Sequence, residues 1–432
     1  MQRYTGDGMN SVNYLLGVAE ASASLTRVLQ ALRAAPAWQP FDTRAVEFVK
    51  RFSQKLLTAA GIREHPELAA LGHWFRGANL HQLAHKYPTD TGDALVLGRG
   101  LAFHVAPSNV DSVFMYSWLL SLLAGNVNVV RVSQKASAAQ TFLISVLAQT
   151  MAEDVGAPVQ GRIVLLTYPH DDAITAALSD ACQLRVVWGG DATVRTLRAI
   201  PLRPTATEIC FPDRFSACAI EAMALLALDE PALAQLASRF YNDAFWFAQQ
   251  ACSSPRLVAW VGSPERIDAA RARFWLALEH ELARRQPVDA EAMSMARVAA
   301  GFEYAGAALA RPDGDVGLSP SQPLRLTLER PLNETAKALH CGNGLFLELR
   351  LPELVELAAQ LSDKEQTLAV HGFTRAQLQA LALALPARAV DRIAPIGEAL
   401  SFAPVWDGQD LITVFSRKLL LPAFGDTHAA LA

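Results

Sequence analysis

The spacing of hydrophobic residues changes near residue 93 of the chain. Before that point, segments such as TRAVEFVKRFSQKLLTAAG and HPELAALGHWFRGANLHQLAHKY carry apolar residues three and four positions apart, which predicts helices from residue 1 to about residue 90. After it, short runs such as VNVVRV and GRIVLLTY alternate with longer segments of helical spacing. This alternation predicts an α/β fold with a doubly wound, mostly parallel sheet, an architecture that commonly binds a dinucleotide.

Four regions follow from this pattern and from the length of 432 residues. We predict a helical N-terminal region over residues 1–92, a dinucleotide-binding domain over 93–214, a second α/β domain over 215–388 and a C-terminal segment over 389–432. Residues 285 to 325, within the second domain, are expected to be less regular. The C-terminal segment is expected to return to the dinucleotide-binding domain or to form an oligomer interface.

One uncharged stretch imitates a membrane span. From Ser112 to Val130 there are 19 residues without a charge, which is long enough for a transmembrane helix. However, serine, glycine and asparagine residues interrupt the stretch, and AGN is a helix-stop signal followed by a β-branched run. We therefore predict a buried helix, a tight turn and a buried strand here, and no transmembrane segment.

Composition narrows the classes of function. The net charge of -4 gives no general attraction to nucleic acid or to an anionic membrane, and 51% hydrophobic residues are typical of a folded globular chain. The five cysteines form no CxxC pair, and His81 and His85 are four residues apart without the glutamate of an HExxH motif. These features argue against a disulfide framework and against a metal site. Unpaired cysteines favour a reducing compartment, and no signal peptide is recognisable. We therefore expect a cytoplasmic protein.

Three short motifs stand where an α/β protein commonly places chemistry. Cys252, in QQACSSPRL, lies between a long helix and a strand, where a thiol can face a cleft, although burial as a small side chain is the commonest fate of a cysteine. Asn109, in FHVAPSNVDSV, follows a strand and precedes a helix, so its amide can either donate to an oxyanion or cap the helix. Gly189 and Gly190 form a strand–turn–helix junction that resembles an anion-binding turn but lacks the GxGxxG spacing.

Taken in order, these motifs resemble a known family. The aldehyde dehydrogenase superfamily shows the same succession of a strand ending in PxN, a helix ending in AGN, VVRVS, a strand–GG–helix turn and QxC before a strand. A closer resemblance is to the LuxC-type acyl-CoA reductases, in HPELAALGHWFRGANL, QACSSP and RIAPIGEALSFAPVWDGQDLI. The resemblance extends from about residue 45 to residue 420. It implies an aldehyde-dehydrogenase-like fold in which the domain over 215–388 is catalytic.

The resemblance assigns roles in catalysis. Cys252 matches the nucleophile, and Asn109 matches the asparagine whose amide forms the oxyanion hole with the backbone N–H of the cysteine. Glu208, in TATEICF, is the possible counterpart of the glutamate that activates water in members that oxidise aldehydes, but the ELGGK motif is missing here. A reductase must keep water away from an acyl-cysteine, so the missing motif favours reduction.

The resemblance also implies which residues bind the cofactor. Arg131 stands at the position of the cofactor-contacting lysine of a KPSE motif, which reads RVSQ here and so includes Ser133 and Gln134. Gly189 and Gly190 match the turn that meets the cofactor pyrophosphate. Neutral Gln134 replaces an acidic residue that often binds the adenine ribose, and a carboxylate there would repel a 2′-phosphate that an arginine can grip. NADPH is therefore the expected cofactor.

The function that follows from the resemblance is the NADPH-dependent reduction of an acyl-CoA, or of another acyl thioester, to an aldehyde through an acyl-cysteine. Two alternatives are a CoA-independent aldehyde dehydrogenase with Glu208 as the base, and a non-catalytic acyl-carrier-binding module of the same fold. The expected partners are an acyl-CoA or carrier-bound acyl thioester, an acyl-transferring synthetase or acyl carrier protein, and further copies of the chain.

Overall fold

The chain forms two units, each with its own sheet and helices. The computed structural model describes residues 12–18, 20, 22–90, 92–107, 111–285, 290–312, 322–386 and 388–421. Residues up to Pro212 belong with those from Phe402 onward to the first unit, and Asp213–Ser401 form the second unit. The four regions predicted from the sequence have other boundaries, since the predicted segment 389–432 falls partly in each unit, and they remain a prediction.

The strands and helices are numbered along the chain. The strands are β1 (Asn13–Leu16), β2 (Ala94–Gly98), β3 (Leu101–Val105), β4 (Val127–Arg131), β5 (Ile163–Thr167), β6 (Leu184–Trp188), β7 (Thr207–Phe211), β8 (Phe215–Glu221), β9 (Leu257–Val261), β10 (Ala310–Pro312), β11 (Leu324–Leu328), β12 (Leu345–Leu351), β13 (Glu365–His371), β14 (Arg392–Pro395), β15 (Val405–Trp406), β16 (Gln409–Asp410) and β17 (Ser416–Leu420). The α-helices are α1 (Leu25–Ala34), α2 (Thr43–Thr58), α3 (Pro66–Trp74), α4 (Gly77–Lys86), α5 (Asp111–Leu123), α6 (Ala138–Met151), α7 (Asp172–Ala181), α8 (Asp191–Arg198), α9 (Ala222–Leu226), α10 (Glu230–Phe245), α11 (Pro264–Arg285), α12 (Ala290–Gly306), α13 (Glu334–Ala338), α14 (Arg375–Ala384) and α15 (Leu411–Phe415). Short 3-10 helical segments span Ile62–Glu64, Asp154–Val159 and Leu354–Gln360.

A six-stranded sheet in the order β1-β5-β4-β3-β6-β7 forms the core of the first unit. Neighbouring strands in the described part of this sheet are parallel, except that β1 runs antiparallel to β5. The chain places β4 and β5 on one side of β3 and then β6 and β7 on the other side. The carboxyl ends of β3 and β6 therefore lie side by side, at the kind of crossover point where open α/β sheets bind ligands. This is the doubly wound parallel sheet that the sequence predicts.

The helices of the N-terminal region follow the predicted spacing. Helix α2 buries Phe48, Phe52 and Leu56, which recur four residues apart and so share one face. The side chain of Asp42 caps the helix by accepting the backbone N–H of Arg44 at 3.0 Å. The prediction of helices is confirmed for this part of the region.

Residues 13–16 are an exception to the predicted helical region. They form strand β1, which extends the first sheet by pairing with β5, where Asn13 lies opposite Thr167. Gly17 follows with a φ of 86°, and a Cβ atom there would collide with the carbonyl oxygen of Ile163. The prediction of helix was wrong here because pairing with an open sheet edge outweighs the periodicity of so short a segment.

The uncharged stretch from Ser112 to Val130 adopts the predicted helix, turn and strand. Helix α5 ends at Leu123 and strand β4 begins at Val127. Gly125 between them has a φ of 94°, and a Cβ atom there would collide with the carbonyl oxygen of Trp38, so the turn requires glycine. Within the described ranges, no helix combines the length and the hydropathy needed to cross a membrane.

A seven-stranded sheet in the order β10-β11-β12-β9-β8-β13-β14 forms the core of the second unit. Among its described strands, β10 alone runs antiparallel to its neighbour. Helix α12, of 17 residues, and strand β10 occupy much of the region from 285 to 325. The sequence predicted less regular structure there, because the alanine-rich segment AEAMSMARVAAGFEYAG shows little contrast between apolar and polar positions.

A buried carboxylate stabilises the core of the second unit. Glu348, on β12, is 1% exposed and accepts the indole N–H groups of Trp260 at 2.7 Å and Trp275 at 2.9 Å. Arg271, on α11, donates to both carboxylate oxygens. A buried charge is tolerated only when it is paired and hydrogen-bonded, and here four donors share one carboxylate.

Candidate active site

Cys252 lies in the turn between helix α10 and strand β9. The turn contains two residues in the left-handed region, with φ values of 48° at Ala248 and 59° at Gln249. Side chains other than glycine rarely adopt this conformation, and they keep it only where the surroundings hold them. Cys252 itself is partly exposed, whereas Ala251 and Ser253 on either side are buried. The cysteine is therefore a partly exposed residue between two buried neighbours.

The side chain of Gln249 holds this turn in place. It is fully buried, and its Nε2 donates to the carbonyl oxygens of Pro255 at 2.9 Å and Leu345 at 3.0 Å. Its Oε1 accepts the backbone N–H of Gly344 at 2.7 Å. Two of these bonds join the turn to the beginning of β12, and the bond to Pro255 spans Cys252 within the turn. The left-handed conformation at Gln249 places this amide inward, which explains why the strained backbone is kept.

Hydroxyl groups fix the backbone on the other side of the turn. Ser216 Oγ, on β8, donates to the carbonyl oxygen of Cys252 at 2.7 Å and accepts the N–H of Thr367 at 3.1 Å. Ser254 Oγ donates to the carbonyl oxygen of Asp243, on α10, at 2.7 Å. The backbone at Cys252 is thus attached to a central strand and to the preceding helix.

A second loop, over residues 340–344, lies against the cysteine turn. Gln250 Nε2 donates to the carbonyl oxygen of Cys341 at 2.8 Å, and the N–H of Asn343 donates to the carbonyl oxygen of Ala248 at 2.8 Å. Arg297, on α12, donates to the carbonyl oxygen of Asn343 at 3.1 Å. The turn at Cys252 is consequently held by hydrogen bonds from the loop before β12 as well as from β8 and α10.

The other four cysteines are poor candidates for a nucleophile. Burial raises the pKa of Cys182 to about 12, of Cys210 to about 11 and of Cys341 to about 11. Burial also raises the pKa of Cys218 well above its ordinary value. Because the thiolate is the reactive form, these four thiols stay protonated at neutral pH.

Asp243 joins helix α10 to the chain segment after β14. The carboxylate is buried and accepts the N–H groups of Gly397 at 2.6 Å and Ala399 at 3.1 Å. Burial raises the pKa of Asp243 to about 7, although these hydrogen bonds act in the opposite direction. The same residue receives the Ser254 hydroxyl through its carbonyl oxygen, so it also contacts the cysteine turn.

Arg131 is the last residue of β4, beside the crossover point of the first sheet. It lies opposite Val105 of β3 on one side and opposite Leu166 of β5 on the other. Its guanidinium carbon stands 4.6 Å from the centre of the Tyr168 ring. The Nε atom is buried and has no hydrogen-bond partner in the part of the chain that the structure describes. This N–H donor without a partner is suited to a hydrogen bond with a ligand that carries anionic oxygens.

Gly189 and Gly190 connect β6 to helix α8, at the same edge of the sheet. The N–H of Gly189 donates to the carbonyl oxygen of Phe211 at 3.2 Å, which fixes the start of the turn. Gly190 is exposed, and a Cβ atom built on it would meet nothing within 4 Å. Gly190 is the N-cap residue of α8 and has no side chain that could cap the first turn. The turn therefore presents backbone N–H groups beside open space, as an anion requires.

Ser133 and Gln134 follow β4 in the loop before α6. Ser133 Oγ accepts the N–H of Lys135 at 3.2 Å, and its carbonyl oxygen accepts from Gln140 Nε2 at 3.4 Å. Gln134 and Lys135 are exposed. The loop contributes amide, hydroxyl and ammonium groups and no carboxylate.

Glu208, on β7, belongs to an ion-pair cluster. Arg185, which is 2% exposed, donates to one carboxylate oxygen through Nε and Nη2, and Arg198 Nε donates to the other at 3.0 Å. Burial raises the pKa of Glu208, but the hydrogen bonds from Arg185, Cys210 and Arg198 outweigh it and lower the pKa overall. A carboxylate held charged in this way is a weak proton acceptor, which disfavours the role of a base.

The sequence-predicted residues fall into separate groups. Arg131, Gly189 and Gly190 share the carboxyl edge of the first sheet, whereas Glu208 is the second residue of its strand and lies toward the amino edge. Cys252 belongs to the second unit. Asn109 lies outside the described residues. Over the ranges that the structure describes, no group of three His, Cys, Asp or Glu side chains is placed to hold a metal ion.

Two residues of these sites have no clear signal in the sequence. Tyr168 meets Arg131 only through the register of β4 and β5, which no local pattern specifies. Gln249 stands next to the QxC motif, but a glutamine there looks like an ordinary polar loop residue. Their contribution is evident from the hydrogen bonds and the ring contact described above.

Solved structures of aldehyde dehydrogenases have a similar fold. Aldehyde dehydrogenase 21 from Physcomitrella patens matches with a TM-score of 0.65 at 12% identity, over 92% of this chain and 89% of that chain. An NAD-dependent benzaldehyde dehydrogenase from Corynebacterium glutamicum matches with a TM-score of 0.61 at 13% identity, over 96% and 99%. An NADP-dependent enzyme from E. coli matches with a TM-score of 0.59 at 14% identity, over 87% and 80%. The chain has the aldehyde dehydrogenase fold, as the sequence predicted.

Within this fold class, the chain belongs to the acyl-CoA reductase (LuxC) family, whose sequence profile matches residues 32–300. The matched range includes Cys252, Arg131 and both glycines of the β6–α8 turn. No curated protein sequence matches the chain. The resemblance to LuxC-type reductases is confirmed, and family and fold together support an oxidoreductase of aldehyde chemistry.

Proposed function

We propose that this protein reduces an acyl-CoA, or another acyl thioester, to an aldehyde with NADPH, through an acyl group carried by Cys252. The observation that carries the proposal is the place of Cys252, a partly exposed thiol on a turn held by buried hydrogen bonds, in a chain of the acyl-CoA reductase family. The raised pKa values of the other four cysteines leave them poor competitors for this role.

The first half of the reaction transfers the acyl group. The Cys252 thiolate attacks the thioester carbonyl carbon, and a carbon–sulfur bond forms. The tetrahedral intermediate then breaks its bond to the sulfur of CoA, which leaves as a thiolate and takes up a proton. The backbone N–H of Cys252 and the amide of Asn109 are proposed to stabilise the oxyanion, the latter on the family resemblance alone.

The second half releases the aldehyde. When bound, NADPH supplies the hydride that reduces the acyl carbon. Arg131, with its orphaned Nε, and the open turn at Gly190 fit the phosphates of such a cofactor. Once the acyl carbon has been reduced, the thiohemiacetal on Cys252 collapses, expels the thiolate and frees the aldehyde. Cys252 is then ready for another acyl group.

The state of Glu208 supports reduction over hydrolysis. An aldehyde-oxidising enzyme needs a base that activates water against the acyl-cysteine. Glu208 is instead ion-paired with Arg185 and Arg198, and its pKa is lowered. With this carboxylate engaged, the acyl-cysteine survives long enough to be reduced.

Trapping the acyl-enzyme tests the proposal. The intact protein is incubated with short, medium and long acyl-CoAs without cofactor, and its mass is measured. We expect one acyl group to be added to the wild type and to Cys341→Ser, and none to Cys252→Ala. Adding NADPH should then return the protein to its original mass and release the aldehyde.

Other outcomes would support the alternatives. An acyl-enzyme that still forms in Cys252→Ala would assign the nucleophile elsewhere. Oxidation of an aldehyde by NADP⁺ without CoA, with no consumption of NADPH from any acyl thioester, would support the CoA-independent dehydrogenase. A folded protein that binds an acyl carrier but neither acylates nor binds cofactor would support the non-catalytic module.

A further inference from the structure

We propose that Tyr168 is a specificity-determining residue for the cofactor, because its ring holds the Arg131 guanidinium in the orientation that grips a 2′-phosphate. The inference rests on the proposed function, since it deepens the role given to Arg131. It concerns the adenosine end of the cofactor and is separate from the acyl chemistry at Cys252.

The register of two strands brings Tyr168 to Arg131. Arg131 lies opposite Leu166 in the parallel pair of β4 and β5, and Tyr168 is two residues further along the chain. Side chains two residues apart point to the same face of a sheet, so Tyr168 and Arg131 share one face at its carboxyl edge. The distance of 4.6 Å from the guanidinium carbon to the ring centre lies within the range of a cation–π contact.

The Tyr168 ring is a fixed surface. The residue is 1% exposed, and its hydroxyl lies 3.1 Å from Thr175 Oγ1. Thr175 Oγ1 in turn donates to the carbonyl oxygen of Asp171 at 2.9 Å, at the start of α7. Burial and the hydrogen bond at its hydroxyl therefore hold the phenol ring in place, and the fixed ring limits the rotamers that Arg131 can adopt.

The contact with Tyr168 leaves Arg131 able to bind an anion. An arginine that lies flat on an aromatic ring keeps its five in-plane N–H donors available to an anion. No ion pair neutralises Arg131 within the described ranges, and its buried Nε has no partner there. An arginine that is oriented but not paired binds a phosphate at a smaller entropic cost than a freely rotating one.

The surroundings of Arg131 also suit a doubly charged phosphate. The loop after β4 offers Ser133, Gln134 and Lys135 and carries no carboxylate. Asp171, the nearest acid along β5 and α7, accepts the N–H groups of Ala173 and Ile174 at 2.9 and 3.1 Å as the cap of α7. NADH lacks the 2′-phosphate, so the orientation of Arg131 should matter little for it.

Binding titrations of the full chain test this inference without relying on turnover. The dissociation constants of NADPH and NADH are measured by cofactor fluorescence, and those of adenosine 2′,5′-bisphosphate and 5′-AMP by competition. The variants are Tyr168→Leu, which removes the ring, Tyr168→Phe, which keeps it, Arg131→Ala, and the combination of Tyr168→Leu with Arg131→Ala. A protein with trifluorophenylalanine at position 168 keeps the shape of Phe but weakens the negative face of the ring, so it replaces Tyr168→Leu if that variant does not fold.

We expect Tyr168→Leu to raise the dissociation constants of NADPH and the bisphosphate about three- to tenfold. Those of NADH and 5′-AMP should change less than about twofold. Tyr168→Phe keeps the ring but loses the hydrogen bond to Thr175, so it should weaken the binding of NADPH less than Tyr168→Leu does. Trifluorophenylalanine should weaken the binding of NADPH and not of NADH, and Tyr168→Leu should have no further effect once Arg131 is alanine. Equal losses for NADPH and NADH, or an undiminished effect of Tyr168→Leu in the Arg131→Ala background, would make Tyr168 a packing residue and overturn the inference. If Arg131→Ala itself weakens both cofactors equally, Arg131 does not read the phosphate and the inference fails, whereas the acyl-enzyme on Cys252 is tested independently by mass.

Discussion

The amide oxygen of Gln249 accepts the N–H of Gly344 at 2.7 Å, so the turn that carries Cys252 is tied to the residue just before β12. The same side chain donates to two carbonyl oxygens, of Pro255 and Leu345. A nucleophile must be held close to its reactive geometry, and a displacement of about 1 Å costs about a hundredfold in rate. The buried glutamine therefore connects the packing of the second unit to the proposed chemistry.

Replacing Gln249 by alanine should damage both stability and acylation. Three buried backbone groups lose their partner, which we expect to cost about 3 kcal/mol in the free energy of unfolding. In the protein that remains folded, acylation of Cys252 should slow about tenfold or more, measured by mass after rapid mixing with an acyl-CoA. Gln379→Ala, at an exposed position of α14, is the control and should change neither quantity. Unchanged acylation in a destabilised Gln249→Ala protein would show that the side chain only supports the fold.

The buried carboxylate of Glu348 gives a prediction about stability alone. Arg271→Met removes its guanidinium partner and leaves an uncompensated charge in the core, which we expect to cost about 3–5 kcal/mol in urea-induced unfolding. Arg284→Met, on the same helix, removes an exposed guanidinium from Glu281, which keeps its pair with Arg285, and should cost less than about 1 kcal/mol. Similar losses in the two variants would mean that the indole donors of Trp260 and Trp275 carry most of the stabilisation of Glu348.

Much of the fold is predictable because parallel strands and the helices between them leave strong local patterns. The run from Ser112 to Val130 is an example, since the AGN turn separates helix α5 from strand β4. Strand β1 is not predictable, because its conformation comes from pairing with β5 and not from its own four residues. The pairing of Glu208 with Arg185 and the contact of Arg131 with the Tyr168 ring both join neighbouring strands, so they depend on a register that the sequence does not display.

The buried Asp243 predicts a pH dependence of stability. Its pKa is raised from 3.8 to about 7 in the folded protein, so between these values the folded state binds a proton that the unfolded chain does not. The contribution of Asp243 to stability is therefore complete below the lower value and is lost as pH rises through about 7.

Denaturant titrations over this pH range isolate the effect. The difference in unfolding free energy between the wild type and Asp243→Asn should shrink as pH rises, because the asparagine does not titrate. Asp363→Asn, an exposed aspartate of the same unit, is the matched control. A difference between wild type and Asp243→Asn that is constant with pH would contradict the raised pKa.

Asn109 yields a prediction from the sequence and the family alone. If its amide donates to the oxyanion, Asn109→Ala should lower kcat by about 10²–10³, the usual effect of losing one such donor. Asn109→Asp keeps the size of the side chain but not the donor, so it should be impaired to a similar degree. Normal turnover by a stable Asn109→Ala protein would mean that Asn109 only caps the helix and does not stabilise the oxyanion.

Glu208→Gln separates the proposed reductase from the dehydrogenase alternative. The substitution keeps an acceptor oxygen but removes the charge that balances Arg185, which is 2% exposed, so we expect a loss of about 3 kcal/mol in the free energy of unfolding. If Glu208 is an ion-pair partner and not a base, its carboxylate takes no part in the step from acyl-enzyme to aldehyde. The single-turnover rate of that step, measured from preformed acyl-enzyme, should then change less than about threefold in the folded protein. Rate and stability are measured on the same preparation at a temperature well below the unfolding transition, with Arg198→Ala as a control that disturbs the same cluster from its exposed side. A loss of aldehyde oxidation by two orders of magnitude in Glu208→Gln, with stability intact, would instead identify the carboxylate as the base that activates water.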